Sequence, residues 1–323
     1  MRVNDQDISG FDIIGDVHGC LRALQTLLTK MDYALVDGVW SHPNRKAVFV
    51  GDLMDRGPQI RDTMDLVRNM VEANQAYMVL GNHEYNAVVY SVLSQSNVSA
   101  RLQRYYRRLG THLRESLVDY RYHLAQWHSL IHWLREIPIF LEFENFRVVH
   151  ACWDPRWIEK AETLSQGRVL LHDDFLADSL HPKTDANRIV ERLLKGTDLA
   201  LPDGHSITGS DGIRRDRFRT KFWCQKPLTY ADVIFQPDRL PDSLMQRPLS
   251  SQDKARLLAY PEASKALFFG HYWCQGSPSV IRNNLACLDY SAVKNGLLVA
   301  YRMGKEDKLS NDNFVWVPST YSC

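Results

Sequence analysis

Three short apolar runs in the first 85 residues each end at a glycine, and each glycine is followed at once by acids, amides or histidines. The runs are FDII (11–14), AVFV (47–50) and AYMVL (76–80). They are rich in β-branched and aromatic residues and too short for helices, so they read as buried strands. Between them lie helical patterns. Leu21, Leu24, Leu28 and Met31 share one helical face, and after Pro58, which suits a first helical turn, Ile60, Met64, Val67 and Val71 do the same. This alternation predicts βαβ units in a layered α/β core, whose ligands gather at the carboxyl ends of the strands.

The remainder of the chain is organised around that core. Residues 86–137 hold a polar stretch, SQSNVS, and then a segment in which Leu117, Tyr120, Leu124, Trp127, Ile131 and Leu134 recur at helical spacing. This predicts a helical cap inserted into a single domain spanning 1–323. Sheet-like sequence returns with IPIFLEF and FRVVH (137–150), then with ALFFGH, NLACLDYS and GLLVAYRM between residues 266 and 303. Residues 153–246, rich in Pro, Asp and Gly, predict long loops with short helices, one of them near 186–194. The C-terminal stretch SNDNFVWVPSTYSC fits a strand, an interface or a frayed end.

Composition removes several classes of function. At 45% apolar and 24% charged, the 323 residues do not form a disordered or low-complexity chain. Lys and Arg number 39 against 38 acids, so the formal charge of +1 argues for no nucleic-acid or membrane partner. No apolar run approaches the roughly 20 residues of a membrane span, and the N-terminus lacks an apolar signal core, which predicts a cytoplasmic protein. The six cysteines include no CxxC pair, so they signal buried thiols rather than a disulfide framework or a thiolate zinc site.

Five polar motifs sit at predicted strand ends: GDVHG with Asp16 and His18, GDLMDRG with Asp52, Asp55 and Arg56, GNHE with Asn82, His83 and Glu84, then His150 after FRVV and His271 after ALFFG. One Gly-Asp after a strand is ordinary turn chemistry, and one buried histidine is ordinary packing. Five in succession supply a mixed oxygen and imidazole set suited to borderline divalent metals such as Mn, Fe or Zn.

GDVHG, GDLMDRG, GNHE, a His after a strand and a later GH together resemble the calcineurin-like metallophosphoesterases, in the form used by their phosphoprotein phosphatase (PPP) branch, and bacterial members above all. The resemblance implies an α/β fold: a metallophosphoesterase β-sandwich of two mixed sheets flanked by helices. It implies two divalent metal ions, Mn first, with Asp16 and His18 on one, Asp52 bridging, and Asn82, His150 and His271 on the other. Water bridging such a pair is acidified toward hydroxide and would be the nucleophile. By the same resemblance His83 is the general acid, Asp55 orients it, and Arg56 grips phosphate oxygens. For a second phosphate arginine, Arg214, Arg215, Arg217 and Arg219 are available, and Arg215 best fits the spacing after Gly212. Trp273 stands where other metallophosphoesterases carry a further histidine, which leaves the first metal three protein ligands.

Two smaller readings complete the site. Cys152 is expected to be an inert buried thiol. Arg101, Arg104 and Arg108 share a helical face that could steer a polyanion toward the metals, although a solvated helix surface is the commoner outcome. The implied activity is metal-dependent hydrolysis of a phosphomonoester, as in serine/threonine protein phosphatases. Hydrolysis of a dinucleoside polyphosphate such as diadenosine tetraphosphate, or of a nucleic-acid end or 2′,3′-cyclic phosphate, is the alternative. Outside enzymes, the remaining reading is an inactive metal-binding scaffold. The expected partner is a phosphorylated substrate (phosphoprotein, nucleotide or nucleic-acid end), with no membrane and no stable nucleic-acid complex.

Overall fold

The computed structural model describes residues 1–3, 8–94, 99–165, 170–208, 214–235 and 240–319. The three N-terminal runs form the parallel strands Gly10–Ile14, Arg45–Phe49 and Ala76–Met78 of one mixed sheet. Leu297–Met303 joins Gly10–Ile14 antiparallel, and Phe314–Pro318 pairs with Leu297–Met303 on its other side. The tail left open by sequence is thus a strand up to Pro318, and residues 320–323 lie outside the described residues. A second mixed sheet runs in the order Leu285–Cys287, Ala266–Phe269, Phe146–Val149, Phe140–Glu142.

The two sheets face each other as the sandwich that was expected. Side chains alternate along each strand, so Phe11, Ile13, Val48 and Val50 enter the core between the sheets with Phe146, Val148, Phe268 and Tyr301. Ile14, Ala47 and Phe49 point the other way, into the core under the helices. Helices α1 (Leu21–Lys30) and α2 (Ile60–Glu72) cover that outer face with the leucines, methionines and valines that the helical spacing marked. Helix α2 starts at Ile60, so Pro58 precedes the first turn rather than entering it.

The helical region departs from the sequence reading at both ends. Helix α3 (Asn82–Ser94) begins inside the GNHE motif, so Asn82 stands on the first turn of a 13-residue helix that runs up to residues 95–98, which lie outside the described residues. Helices α4 (Ala100–His112), α5 (Arg114–Asp119) and α6 (Leu124–Glu136) follow; the Leu117-to-Leu134 pattern is split between α5 and α6. Among the described residues no helix is long and apolar enough to cross a membrane.

Residues 153–246 hold more structure than their loop-like composition suggested. Helices α7 (Pro155–Ser165), α8 (Asp173–Ser179) and α9 (Asp185–Lys195) pack there, and α9 includes the one helix expected. A satellite core of Leu199, Ile207, Phe218, Tyr230 and Val233 lies beyond them. Apolar residues spread thinly between turn formers conceal such a core, because its contacts come from hairpins distant in sequence.

Phe268 is fully buried between the sheets, with ring centroids 5.8 Å from Phe146 and 5.0 Å from Tyr301. Phe268→Ala should lower unfolding free energy by about 3–5 kcal/mol in urea titration. A loss below about 1 kcal/mol would place Phe268 outside a packed core.

Candidate metal centre

The motif loops are laced together by backbone hydrogen bonds before any side chain is considered. Val17 and His18 N–H groups donate to the Asp52 carbonyl at 3.1 and 3.0 Å, and Gly19 N–H donates to Leu53 O at 2.7 Å. Turning that sharply puts His18, Asp52, Asp55, Arg56 and His271 all at left-handed φ between 47° and 67°. Non-glycine residues rarely hold that conformation, and its concentration at one place marks a site whose surroundings over-determine it. Glycine is needed where the chains come closest. A Cβ on Gly270 would collide with Asp16 Oδ1, and one on Gly81 would collide with Asp52.

Asp52 is the centre of the arrangement. Its Oδ1 accepts from His83 N–H at 3.0 Å, while Oδ2 lies 3.4 Å from His150 Nε2, 3.7 Å from His18 Nε2 and 3.8 Å from His83 Nε2. Burial alone would push this carboxyl up, but the facing His150 and His83 hold it well below the usual carboxylate range. Donor atoms of His18, Asp52 and His83, and separately of Asp52, His150 and His271, lie within 4.8 Å of one another. Asn82 Oδ1 is 3.2 Å from His150 Nε2.

These residues fit divalent cations on three grounds. First, the imidazoles are turned for it. Nδ1 of His18 meets Met54 O and Nδ1 of His150 meets Val50 O, each at 2.8 Å, which places the N–H outside and the Nε2 lone pair inside. Second, burial and then Arg56 push His18 well below its ordinary value, and burial and then Arg219 do so for His271, so both are neutral as a ligand must be. Third, His271 Nε2 is a buried ring nitrogen with no hydrogen-bond partner among the described residues. Burial, then the carboxylates of Asp289 and Asp52, push Asp16 well up, a crowding of acids that bound cations relieve.

His83 is held differently. Its Nδ1 donates to Asp55 Oδ2 at 2.6 Å, and Asp55 Oδ1 in turn accepts a short bond from Ser116 Oγ on α5. Burial would lower its pKa, yet the Asp52 and Asp55 carboxylates outweigh that and raise it, favouring the protonated ring. Arg56 Nη2 lies 3.0 Å from His83 Nε2 and Arg56 Nη1 lies 3.2 Å from His18 Nε2. A guanidinium can donate only to a neutral ring, so protonation of His83 at Nε2 and this position of Arg56 exclude one another.

Asp16, Asp52, Arg56, Asn82, His83 and His271 line a single cavity of about 430 Å³. Arg215 is not among its lining residues: it is paired with Ile207 in a short hairpin on Arg214–Arg215. Arg219 lines the cavity instead, fixed by a 2.8 Å bond from Nη1 to His271 O and by the Tyr272 ring, 5.3 Å away. Counting residues from Gly212, itself outside the description, cannot tell which strand residue turns inward. Arg217 is engaged in a two-pronged pair with Asp198 at 2.6 and 2.7 Å.

Sequence reasoning also passed over Asp289, a buried carboxyl on the cavity wall, and gave Glu84 no role. Glu84 is fully buried and accepts from the N–H groups of Asp52, Leu53, Met54 and Gly81 at 2.8–3.2 Å. The E of GNHE was the available signal, since a charged residue inside such a motif needs buried partners. Cys152 is buried, and burial pushes its thiol well up, as for an inert thiol. Among the described residues no two cysteines form a disulfide.

The family model for calcineurin-like phosphoesterases matches residues 10–187, more than half of the chain. The chain belongs to the calcineurin-like phosphoesterase family. It is 34% identical over 140 residues to the bis(5′-nucleosyl)-tetraphosphatase PrpE [asymmetrical] of Halalkalibacterium halodurans, covering 43% of this chain and 54% of that protein. With the enzyme of the same name from Oceanobacillus iheyensis, identity is 49% over 73 residues, 22% of this chain and 29% of the relative. The matches therefore span about half or less of these relatives' length. A serine/threonine phosphatase structure from Saccharomyces cerevisiae superimposes with TM-score 0.48 at 13% identity, covering 98% of this chain and 81% of that one.

Two substitutions test the centre. Asp52→Asn should abolish retention of two equivalents of divalent metal in elemental analysis of dialysed protein; a variant that keeps both would remove Asp52 from the bridging position. Glu84→Gln sets an NH₂ group against amide donors and should destabilise by about 1–3 kcal/mol. Unchanged thermal stability would show that the four N–H groups find other acceptors.

Proposed function

We propose that the protein is a metal-dependent hydrolase of a nucleotide carrying several phosphates, a dinucleoside polyphosphate such as diadenosine tetraphosphate. One observation carries the choice over a simple phosphomonoester: the metal cavity is walled by Arg56, Arg108, Lys195 and Arg219, opposite its acids and imidazoles. That is more positive charge than one terminal phosphate requires, and it suits a chain of phosphates. The names of the relatives point the same way. Phosphomonoester hydrolysis, the leading expectation from sequence, needs only the metal ligands, His83 and one arginine.

When bound, a pair of divalent cations, with Mn²⁺ first among those the donors suit, supplies Lewis acidity and lowers the pKa of coordinated water. The remaining work falls to the chain. Arg56 and Arg219 grip phosphoryl oxygens and stabilise charge as it spreads over them. His83 delivers its Nε2 proton to the departing oxygen, and Asp55, tethered by Ser116, keeps the ring in the tautomer and orientation that allow this. The intact dyad argues against an inactive scaffold, which has no use for a placed acid.

The test is Mn²⁺-stimulated hydrolysis of diadenosine tetraphosphate, a phosphoserine peptide and a 3′-phosphorylated oligonucleotide side by side, with Asp52→Asn as blank. Preference for the dinucleotide is expected, and preference for the peptide would return the assignment to a protein phosphatase. His83→Asn should keep its metal and lose about 10²–10⁴-fold in kcat on esters with poor leaving groups, and less on p-nitrophenyl phosphate. Equal losses on both would remove His83 as the acid.

A further inference from the structure

A second cavity of about 440 Å³ opens between α4 and helices α8 and α9. Its wall includes Arg101, Arg104, Arg108 and Lys195, with Tyr105 and the single acid Glu191. Tyr105, Arg108 and Lys195 also line the metal cavity, so the two spaces meet along these three residues. Arg101, Arg104 and Arg108 follow one another at intervals of three and four, on one face of α4. From Arg101 to Arg108 the helix rises roughly 10 Å, so a row of guanidinium groups leads from the second cavity to the metal centre.

The cations along this row are largely uncommitted. Among the described residues none of the three arginines is paired with a carboxylate: Arg101 donates to the carbonyl of Leu180 at 2.8 Å, and Arg108 lies over the Tyr105 ring at 5.2 Å. Lys195 alone has an acid, Glu191 Oε1 at 2.6 Å. On a helix, acids three or four residues away pair with and stabilise exposed arginines. Here α4 carries no acid at all, and the row faces a concave surface.

We propose that this second cavity is the subsite for the part of the substrate remote from the attacked phosphorus: the rest of the polyphosphate chain and the nucleoside beyond it. This inference rests on the dinucleoside polyphosphate reading above. Arg108 and Lys195 stand at the crossing point and hold the phosphates next to the scissile bond. Arg101 and Arg104, which line only the second cavity, hold those further along. Glu191 opposes the same anion and limits affinity, so its removal strengthens binding where the removal of an arginine weakens it.

The experiment compares wild type, Arg101→Glu/Arg104→Glu and Glu191→Gln in the Mn²⁺-loaded enzyme. For diadenosine tetraphosphate the double variant should raise KM by about tenfold or more, and Glu191→Gln should lower it. Hydrolysis of p-nitrophenyl phosphate, too short to leave the metal cavity, should change less than about twofold in both. Unchanged KM for the dinucleotide in the double variant would overturn the subsite while leaving the activity assignment standing. If wild type does not cleave the dinucleotide, that assignment falls, and ATP inhibition of p-nitrophenyl phosphate hydrolysis decides the subsite alone. A tenfold weaker Ki in the double variant sustains a polyphosphate nucleotide site, and equal Ki values overturn it. Arg101→Lys/Arg104→Lys should recover much of the loss, because the charge is kept.

Discussion

The four N–H groups that converge on the buried carboxylate of Glu84 come from Gly81 and from three consecutive residues, Asp52 to Met54. Those groups belong to two loops at the ends of neighbouring parallel strands. Without an acceptor they would be orphaned donors in a place that water does not reach, at a cost of about 1–3 kcal/mol each. One side chain thus holds the backbone turn that presents Asp52, and Asp52 in turn gathers His18, His83 and His150 around it. Burial and the charge of Asp52 push Glu84 up, against the pull of His83, His150 and the amide bonds. The anchor and the site are one electrostatic unit.

Around that unit the molecule divides its labour by distance. The candidate ligands stand on loops at the carboxyl edges of both sheets, where each strand end is fixed by its ladder. The cations on the cavity wall come from later pieces of the chain: Arg219 from the strand Arg217–Thr220, Arg108 from α4 and Lys195 from α9. Ser116 crosses between the two groups, since a residue of the helical insertion tethers the acid that orients His83.

Much of this was legible in the chain. Asp16, His18, Asp52, Asn82, His150 and His271 could be marked from sequence as candidate ligands, because each stands within a few residues of the end of an apolar run of strand length. The sandwich followed from the same runs, and α1 and α2 followed from helical spacing. Arg219, Asp289, Ser116 and the satellite core of residues 199–249 could not be marked. Their roles depend on which way a side chain turns and on what a distant segment brings opposite. A basic helix face such as Arg101, Arg104 and Arg108 reads the same whether it meets water or a cavity.

The sequence by itself determined the central strands, the helices α1 and α2 and a set of candidate ligands, because periodicity and strand-end motifs are local and survive without any partner. Only the tertiary structure decided which cationic side chains stand on the cavity walls. Arg219 is on the cavity wall and Arg215 is not, and α4 and α9 close a second space against the first. The physical reason is that a binding surface is made by the approach of elements far apart in the chain. Its charge and shape do not exist until the two sheets pack and the helices above them settle.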